Sequence, residues 1–257
     1  MHTTSATPHF DDRWPKIDAI EGWLDRESAA LMDFMLETQD LIHTPGLGLL
    51  EVGVWKGRSA AVMAAHLRSG EDLVLVDAWL KKDEIVANLS AAMAQRFSQQ
   101  SVKLFQGTSR ELGADVGLIR RFRFVHIDGE HTGAGLRADL SLARKITEPT
   151  GLIAIDDIFH PMYPHLAKEM FTFLSTEARD LVCVMLGFNK AYLCQSRFLD
   201  AYSDIIFQRI NDGMASRKAP VTLCRTADRV EWPGYSVIAN NGRPRRGPDF
   251  NDQYVRP

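Results

Sequence analysis

The sequence predicts an α/β protein: a doubly wound, mostly parallel sheet of seven strands with an antiparallel edge strand and helices on both faces. Three observations predict it. From residue 47 onward, short apolar runs alternate with longer amphipathic stretches. The runs are short and rich in Leu, Ile and Val, as buried strands are. The last two runs are joined only by Gly187-Phe188-Asn189-Lys190. A link that short makes an antiparallel pair, because a parallel crossover takes a dozen or more residues.

Residues 1–16 are polar, carry Pro8 and Pro15, and read as a loose arm. From Ile17 to Ile42 the apolar positions Ile20, Trp23, Leu24, Leu31, Phe34, Met35, Leu41 and Ile42 suit one or two amphipathic helices, with Ser28 as the cap of a second. Strands are expected at 49–52, 73–76, 102–105, 122–127, 151–155, 181–186 and 191–194. Helices are expected at 59–68, 83–97, 109–121, 133–146 and 163–176, the first stopping at Gly70. Strand-helix-strand repetition implies right-handed crossovers and a sheet covered on both faces. After Gln195 come an amphipathic stretch, 198–210, and a β-like run at 221–225. A tail rich in Gly, Pro, Asn and Arg follows, with Arg243, Arg245 and Arg246 clustered and read as solvated. The chain thus divides into N-terminal arm and helices (1–46), a core (47–195) and a C-terminal extension (196–257).

The 257 residues are 45% hydrophobic and 25% charged, with a formal net charge of -3. That composition is ordinary for a globular protein and shows no basic face for nucleic acid or a membrane surface. No apolar run approaches the roughly 18 residues that span a bilayer. The N-terminal stretch lacks a basic region followed by an apolar one, so no signal peptide is expected. Cys183, Cys194 and Cys224 are odd in number and widely spaced, which fits neither a zinc site nor a disulfide framework. The expectation is a cytoplasmic protein with cysteines as small buried hydrophobes. The N-terminal helices, with Trp23, Phe34 and Met35, bury against either the core or a partner, and a homo-oligomer, a dimer or higher, is expected.

The chemistry-bearing residues cluster at strand ends. Glu51-Val-Gly53-Val-Trp-Lys-Gly57-Arg-Ser59 runs from the first strand into the next helix. Glycines there let the backbone turn tightly against a ligand, and a helix N-terminus offers free N–H groups. The spacing is not GxGxxG, which argues against a dinucleotide site. Asp77 ends the second strand, where an acid suits a ribose diol. The third strand ends in Gln106-Gly-Thr-Ser109, where Ser109 either meets a ligand or caps a helix.

The most informative pair is Asp128-Gly-Glu-His131 and Asp156-Asp157, each following an apolar strand. Three carboxylates brought to one sheet edge repel unless a cation joins them. Oxygen ligands without Cys or clustered His point to Mg²⁺, Mn²⁺ or Ca²⁺. Asp after a strand is also a common turn residue, so each alone says little. His131 is placed to take a proton near neutral pH. His126 reads as structural, and His160 and His165 sit on a loop with Pro161 and Pro164.

Together these residues resemble the class I S-adenosylmethionine-dependent methyltransferases, of Rossmann-like fold, over roughly residues 47–195. The nearer resemblance is to the metal-dependent O-methyltransferases: the catechol branch and the macrocin and mycinamicin branch that methylates sugar hydroxyls. The resemblance implies that Glu51, Gly53, Ser59, Asp77, Ser109 and Asp128 bind S-adenosylmethionine. It implies that Asp128, Asp156 and Asp157 hold Mg²⁺ or a related divalent cation, and that His131 is the general base. Asn189-Lys190 resembles an Asn-Lys pair of the sugar-type enzymes. Arg110 and Glu130 depart from the catechol branch, which has an uncharged polar residue and an adenine-packing aromatic there. Trp55 and Trp79 are candidates for that stacking.

The implied activity is methyl transfer to a hydroxyl of a small molecule, a sugar or natural product. A catechol acceptor, a metal-dependent hydroxylase, a nicotinamide dehydrogenase and a non-catalytic S-adenosylmethionine-binding subunit are the alternatives. A two-histidine, one-carboxylate iron set, which would favour the hydroxylase, is not formed by Asp128, Asp156 and Asp157.

Overall fold

The structure, a computed structural model, describes residues 9–42, 47–93, 101–113, 122–225, 233–240 and 255–256. Two helices, α1 (Phe10–Asp18) and α2 (Arg26–Asp40), precede the sheet. The arm expected over residues 1–16 is therefore helical from Phe10. Phe10, Trp14 and Ile17, spaced i, i+4 and i+7, are all buried, and they outweigh Pro15 inside the helix. Asp25 caps α2 through Ser28 N (2.7 Å), so the expected cap residue Ser28 lies inside the helix instead.

Five parallel strands follow: β1 (Gly48–Val52), β2 (Leu73–Asp77), β3 (Val102–Gln106), β4 (Phe122–Ile127) and β5 (Thr147–Ile155). They lie in the order β3-β2-β1-β4-β5. Their connections carry α3 (Arg58–Ala64), α4 (Lys82–Met93), α5 (Ser109–Leu112) and α6 (Gly133–Ile146). Of the helices expected at 83–97 and 109–121, residues 94–97 and 114–121 lie outside those described, and α5 ends at Leu112 with Gly113 as its cap. The order reverses between β1 and β4. At such a switch point the loops leaving neighbouring strands part, and a crevice opens at their carboxyl ends.

Beyond β5 lie α7 (Pro164–Thr176), β6 (Leu181–Gly187), β7 (Lys190–Gln195), α8 (Leu199–Ser216), β8 (Val221–Arg225), β9 (Tyr235–Ala239) and β10 (Val255–Arg256). β7 is antiparallel to both β5 and β6, as the short link requires. Among the described residues the sheet has ten strands, not seven, because β9, β8 and β10 extend it past β6. Part of the expected solvated tail is thus strand, with Tyr235 and Val237 buried. Arg243, Arg245 and Arg246 lie outside the described residues.

Strand alternation divides the core between the two sheet faces. Leu49, Leu75 and Phe124 join one apolar cluster, and Leu50, Val76 and Val125 the other. Helices α1, α2 and α8 pack into the first. Of the two readings for Phe34 and Met35, core or partner, the structure has them buried within the chain itself, Phe34 against Gly213 of α8. No helix of the described residues is long and apolar enough to cross a membrane.

Candidate active site

The strand ends open on a cleft of about 1250 Å³. That exceeds the roughly 300–1,000 Å³ of a pocket for one small ligand and leaves room for two. Gly53, Ser59, Asp77, Ser109, Asp128, His131, Asp156 and Asp157 all line it. The sequence-predicted site is thus brought together, with one exception.

The first wall comes from β1. Its backbone leaves the sheet at Gly53, where φ is +83°, and passes so close to β4 that a Cβ would lie 1.7 Å from the Asp128 carbonyl oxygen. Only glycine fits there. Gly57, at φ +88°, then turns the chain into α3, setting Ser59 in the cleft. Asp77 ties this loop to the one after β2. Its Oδ2 accepts from Val54 N (2.9 Å) and Trp55 N (3.1 Å), and its Oδ1 from Trp79 N (2.7 Å). Three of about four acceptor positions are then filled from within the chain.

Glu51 is the exception. It pairs with His126 in the β1–β4 register, is fully buried, and does not line the cleft. His126 Nδ1 lies 2.8 Å from Glu51 Oε1, and His126 Nε2 lies 3.2 Å from Lys190 Nζ. An ammonium only donates, so Nε2 accepts and Nδ1 carries the proton given to Glu51. Lys190 Nζ also binds Asp156 Oδ2. Lys190 is fully buried, so an internal ammonium already meets the charge of Asp156. Sequence alone placed Lys190 in an Asn-Lys pair without a role, and its approach to Asp156 depends on the antiparallel insertion of β7.

The second cluster is Asp128, His131 and Asp157, whose ligand atoms lie within 4.8 Å of one another. His131 Nε2 stands 2.9 Å from Asp157 Oδ2 and 3.5 Å from Asp128 Oδ1. The atom is buried between these two carboxylates. The carboxylates of Asp128 and Asp157 raise His131 to about 10. Desolvation, with the charge of Asp156, raises Asp128 to about 6. Burial works to raise Asp157 too, but the imidazolium of His131 outweighs it and the pKa is lowered. Asp157 adopts φ +59°, and Asn189 Nδ2 donates to its Oδ1 (2.6 Å). Sequence reasoning missed Tyr163, whose ring stacks on His131 at 4.4 Å and 7°. It follows a Pro-rich loop with no spacing signal.

At α5 the cap is Thr108, closed by Glu111 in a capping box, which leaves Ser109 turned inward and buried. The cleft mouth is aromatic. Trp23 and Trp79 are 86% and 85% exposed, and Trp23 lies 5.7 Å from the Trp55 ring. Lys81 Nζ sits 3.9 Å from the Trp55 centroid.

A glycine-hinged loop after β1, an acid ending β2 and an acid-histidine cluster after β4 and β5 thus meet in one cleft. Residues 50–158 match a family model described as a methyltransferase domain. Among curated proteins, none matches the chain. Solved structures share the fold at low identity. An O-methyltransferase from Bacillus cereus in complex with SAH is 15% identical, over 75% of this chain and 91% of that one, with a TM-score of 0.53. The O-methyltransferase TomG from Streptomyces achromogenes, in tomaymycin synthesis and in complex with SAM, is 16% identical over 74% and 88%, at 0.51. The O-methyltransferase NovP is 14% identical over 66% and 80%, at 0.56.

Proposed function

We propose that the chain transfers a methyl group from S-adenosylmethionine to a hydroxyl oxygen of a small natural product or sugar, with a divalent cation in the acid-histidine cluster. The observation that carries this reading is one cleft lined both by Gly53, Ser59, Asp77 and Ser109 and by the cluster of Asp128, His131 and Asp157. When bound, the cofactor supplies a sulfonium methyl open to attack by oxygen.

Gly53 and Ser59 are assigned to the methionine part of the cofactor, Asp77 to the ribose and Ser109 to the adenine side. Asp128, with His131, faces the acceptor. Holding reactants at a near-attack distance of about 3–3.5 Å supplies much of the rate in such transfers. Glu51, buried beneath the cleft, is read as a link through His126 to Lys190 and not as a cofactor contact.

The sequence assigned the cation to Asp128, Asp156 and Asp157. The converging donors favour Asp128 and Asp157 with His131 beside them, since Asp156 is engaged by Lys190. Carboxylate oxygens suit Mg²⁺ as well as Mn²⁺, which leaves the His131 imidazole for the acceptor. When bound, the cation would stabilise developing negative charge on oxygen. His131 is proposed to take the hydroxyl proton. Asp128 and Asp157 hold it protonated at neutral pH, so it works as a base only when the charge of those carboxylates is offset.

The test is release of S-adenosylhomocysteine with sugar, catechol and polyketide-type acceptors, by wild type and His131→Ala. The proposal expects turnover with at least one acceptor class. It expects His131→Ala to lose about 10²–10⁴-fold in turnover with near-normal cofactor affinity. Full turnover in His131→Ala would remove the base assignment.

A further inference from the structure

His131 stands on the loop between β4 and α6, one residue before Thr132, the cap of α6. Its side chain is 35% exposed and meets the carboxylates of Asp128 and Asp157 through Nε2. Contact at one ring atom leaves the plane of the imidazole undecided, because the second side-chain torsion of histidine is broad. A ring that is to meet an acceptor in one orientation needs a further hold.

The opening of α7 supplies it. Two turns carry the chain there from Asp157: His160 N donates to the Asp157 carbonyl (3.2 Å), and Tyr163 N to the His160 carbonyl (2.9 Å). Pro164 then starts the helix. Tyr163 is thereby brought back over His131, its ring 7° from parallel and 4.4 Å away between centroids. His165, two residues on, donates from Nε2 to the His131 carbonyl (3.0 Å), since a carbonyl only accepts. The two helices behind these loops are tied together. Arg137 of α6 meets Glu169 within α7 and Glu177 at its end, both at 2.5 Å. The segment that begins at Asp157 thus grips His131 at three places: ring edge, ring face and backbone.

We propose that Tyr163 is a positioning residue for His131: its ring fixes the plane of the imidazole, and so the direction in which His131 meets the acceptor. This rests on the reading of His131 as the group that takes the hydroxyl proton. Tyr163 itself takes no part in the transfer. A π face of the same size serves, and the phenol hydroxyl is not required.

The test compares Tyr163→Phe, which keeps the ring, with Tyr163→Leu, which removes it. Release of S-adenosylhomocysteine is followed with the sugar, catechol and polyketide-type acceptors. Tyr163→Leu is expected to lose about 10–100-fold in kcat, the scale of a misplacement of about 1 Å. Its acceptor KM and its affinity for S-adenosylhomocysteine are expected to stay within about threefold of wild type, as is the kcat of Tyr163→Phe. Full turnover in Tyr163→Leu overturns the proposal. Equal loss in both variants assigns the work to the hydroxyl and overturns it. A rise in KM alone makes Tyr163 an acceptor contact and also overturns it. A second measurement needs no acceptor and no change at Tyr163. Nuclear Overhauser contacts are expected between the Cε1 proton of His131 and the ring protons of Tyr163, and their absence overturns the stack. No turnover by wild type with any acceptor removes the methyl-transfer reading, and the inference with it; the ring contact tells that failure from a failure of the stack.

Discussion

Lys190 forms an ion pair with Asp156 from a fully buried position, which makes Asp156 unlike the two acids beside it. Asp128 and Asp157 face His131, while Asp156 faces a lysine and, through it, His126 and Glu51. The chain supplies one cation of its own beneath the cleft.

Removing that cation strands Asp156 in a poorly hydrated place. Lys190→Met is expected to destabilise the fold by about 3–5 kcal/mol, the usual cost of breaking a buried pair at one end. Urea unfolding of the variant measures this. A loss under about 1 kcal/mol would mean that Asp156 is hydrated and the pair is dispensable.

Asp33 anchors the N-terminal helices. It meets Arg13 (2.5 Å), His66 (2.7 Å) and Arg217 (2.8 Å) and is almost fully buried. Burial alone would raise its pKa, but His66, Arg13 and Arg217 outweigh burial and hold it well below the carboxylate range. A depressed pKa contributes stability that is fully present above the unfolded value of about 3.9 and lost as pH falls below it. Asp33→Asn is expected to flatten the acid limb of the stability curve below about pH 4 and to cost about 3–5 kcal/mol at neutral pH. Thermal unfolding from pH 2.5 to 7 checks it. An unchanged acid limb would contradict the assignment.

The closeness of Gly53 to β4 makes a sharper comparison. A methyl group at Gly53 meets the Asp128 carbonyl at 1.7 Å, whereas at Gly70, also at positive φ, it meets nothing within 4 Å. Gly70→Ala is expected to cost only the left-handed backbone strain, about 1–2 kcal/mol. Gly53→Ala is expected to cost more than that and to abolish cofactor binding. Unfolding curves and ligand titration on both variants separate strain from clash. Equal behaviour of the two would show that the β1 and β4 loops part easily.

Much of this was legible in the sequence because strand ends are. The apolar runs located the five parallel strands, and Gly187 to Lys190 announced the antiparallel turn. The same logic placed Asp77, Asp128, Asp156 and Asp157 at one edge. It failed where the decisive neighbour was remote. Glu51 reads like a cofactor residue in its motif, but the β1–β4 register turns it towards His126. Lys190 meets Asp156 only because β7 inserts beside β5. The helix from Phe10 was hidden by its prolines, although Phe10, Trp14 and Ile17 carry a helical spacing. Strand β9 was hidden by a tail composition that gave no alternation to count.

The central claim is that this cleft holds S-adenosylmethionine, and the most direct measurement is calorimetric titration with S-adenosylhomocysteine, in Mg²⁺ and in EDTA. One site per chain with micromolar affinity is expected in both conditions, with loss of binding in Asp77→Ala. No binding by wild type in either condition would contradict it.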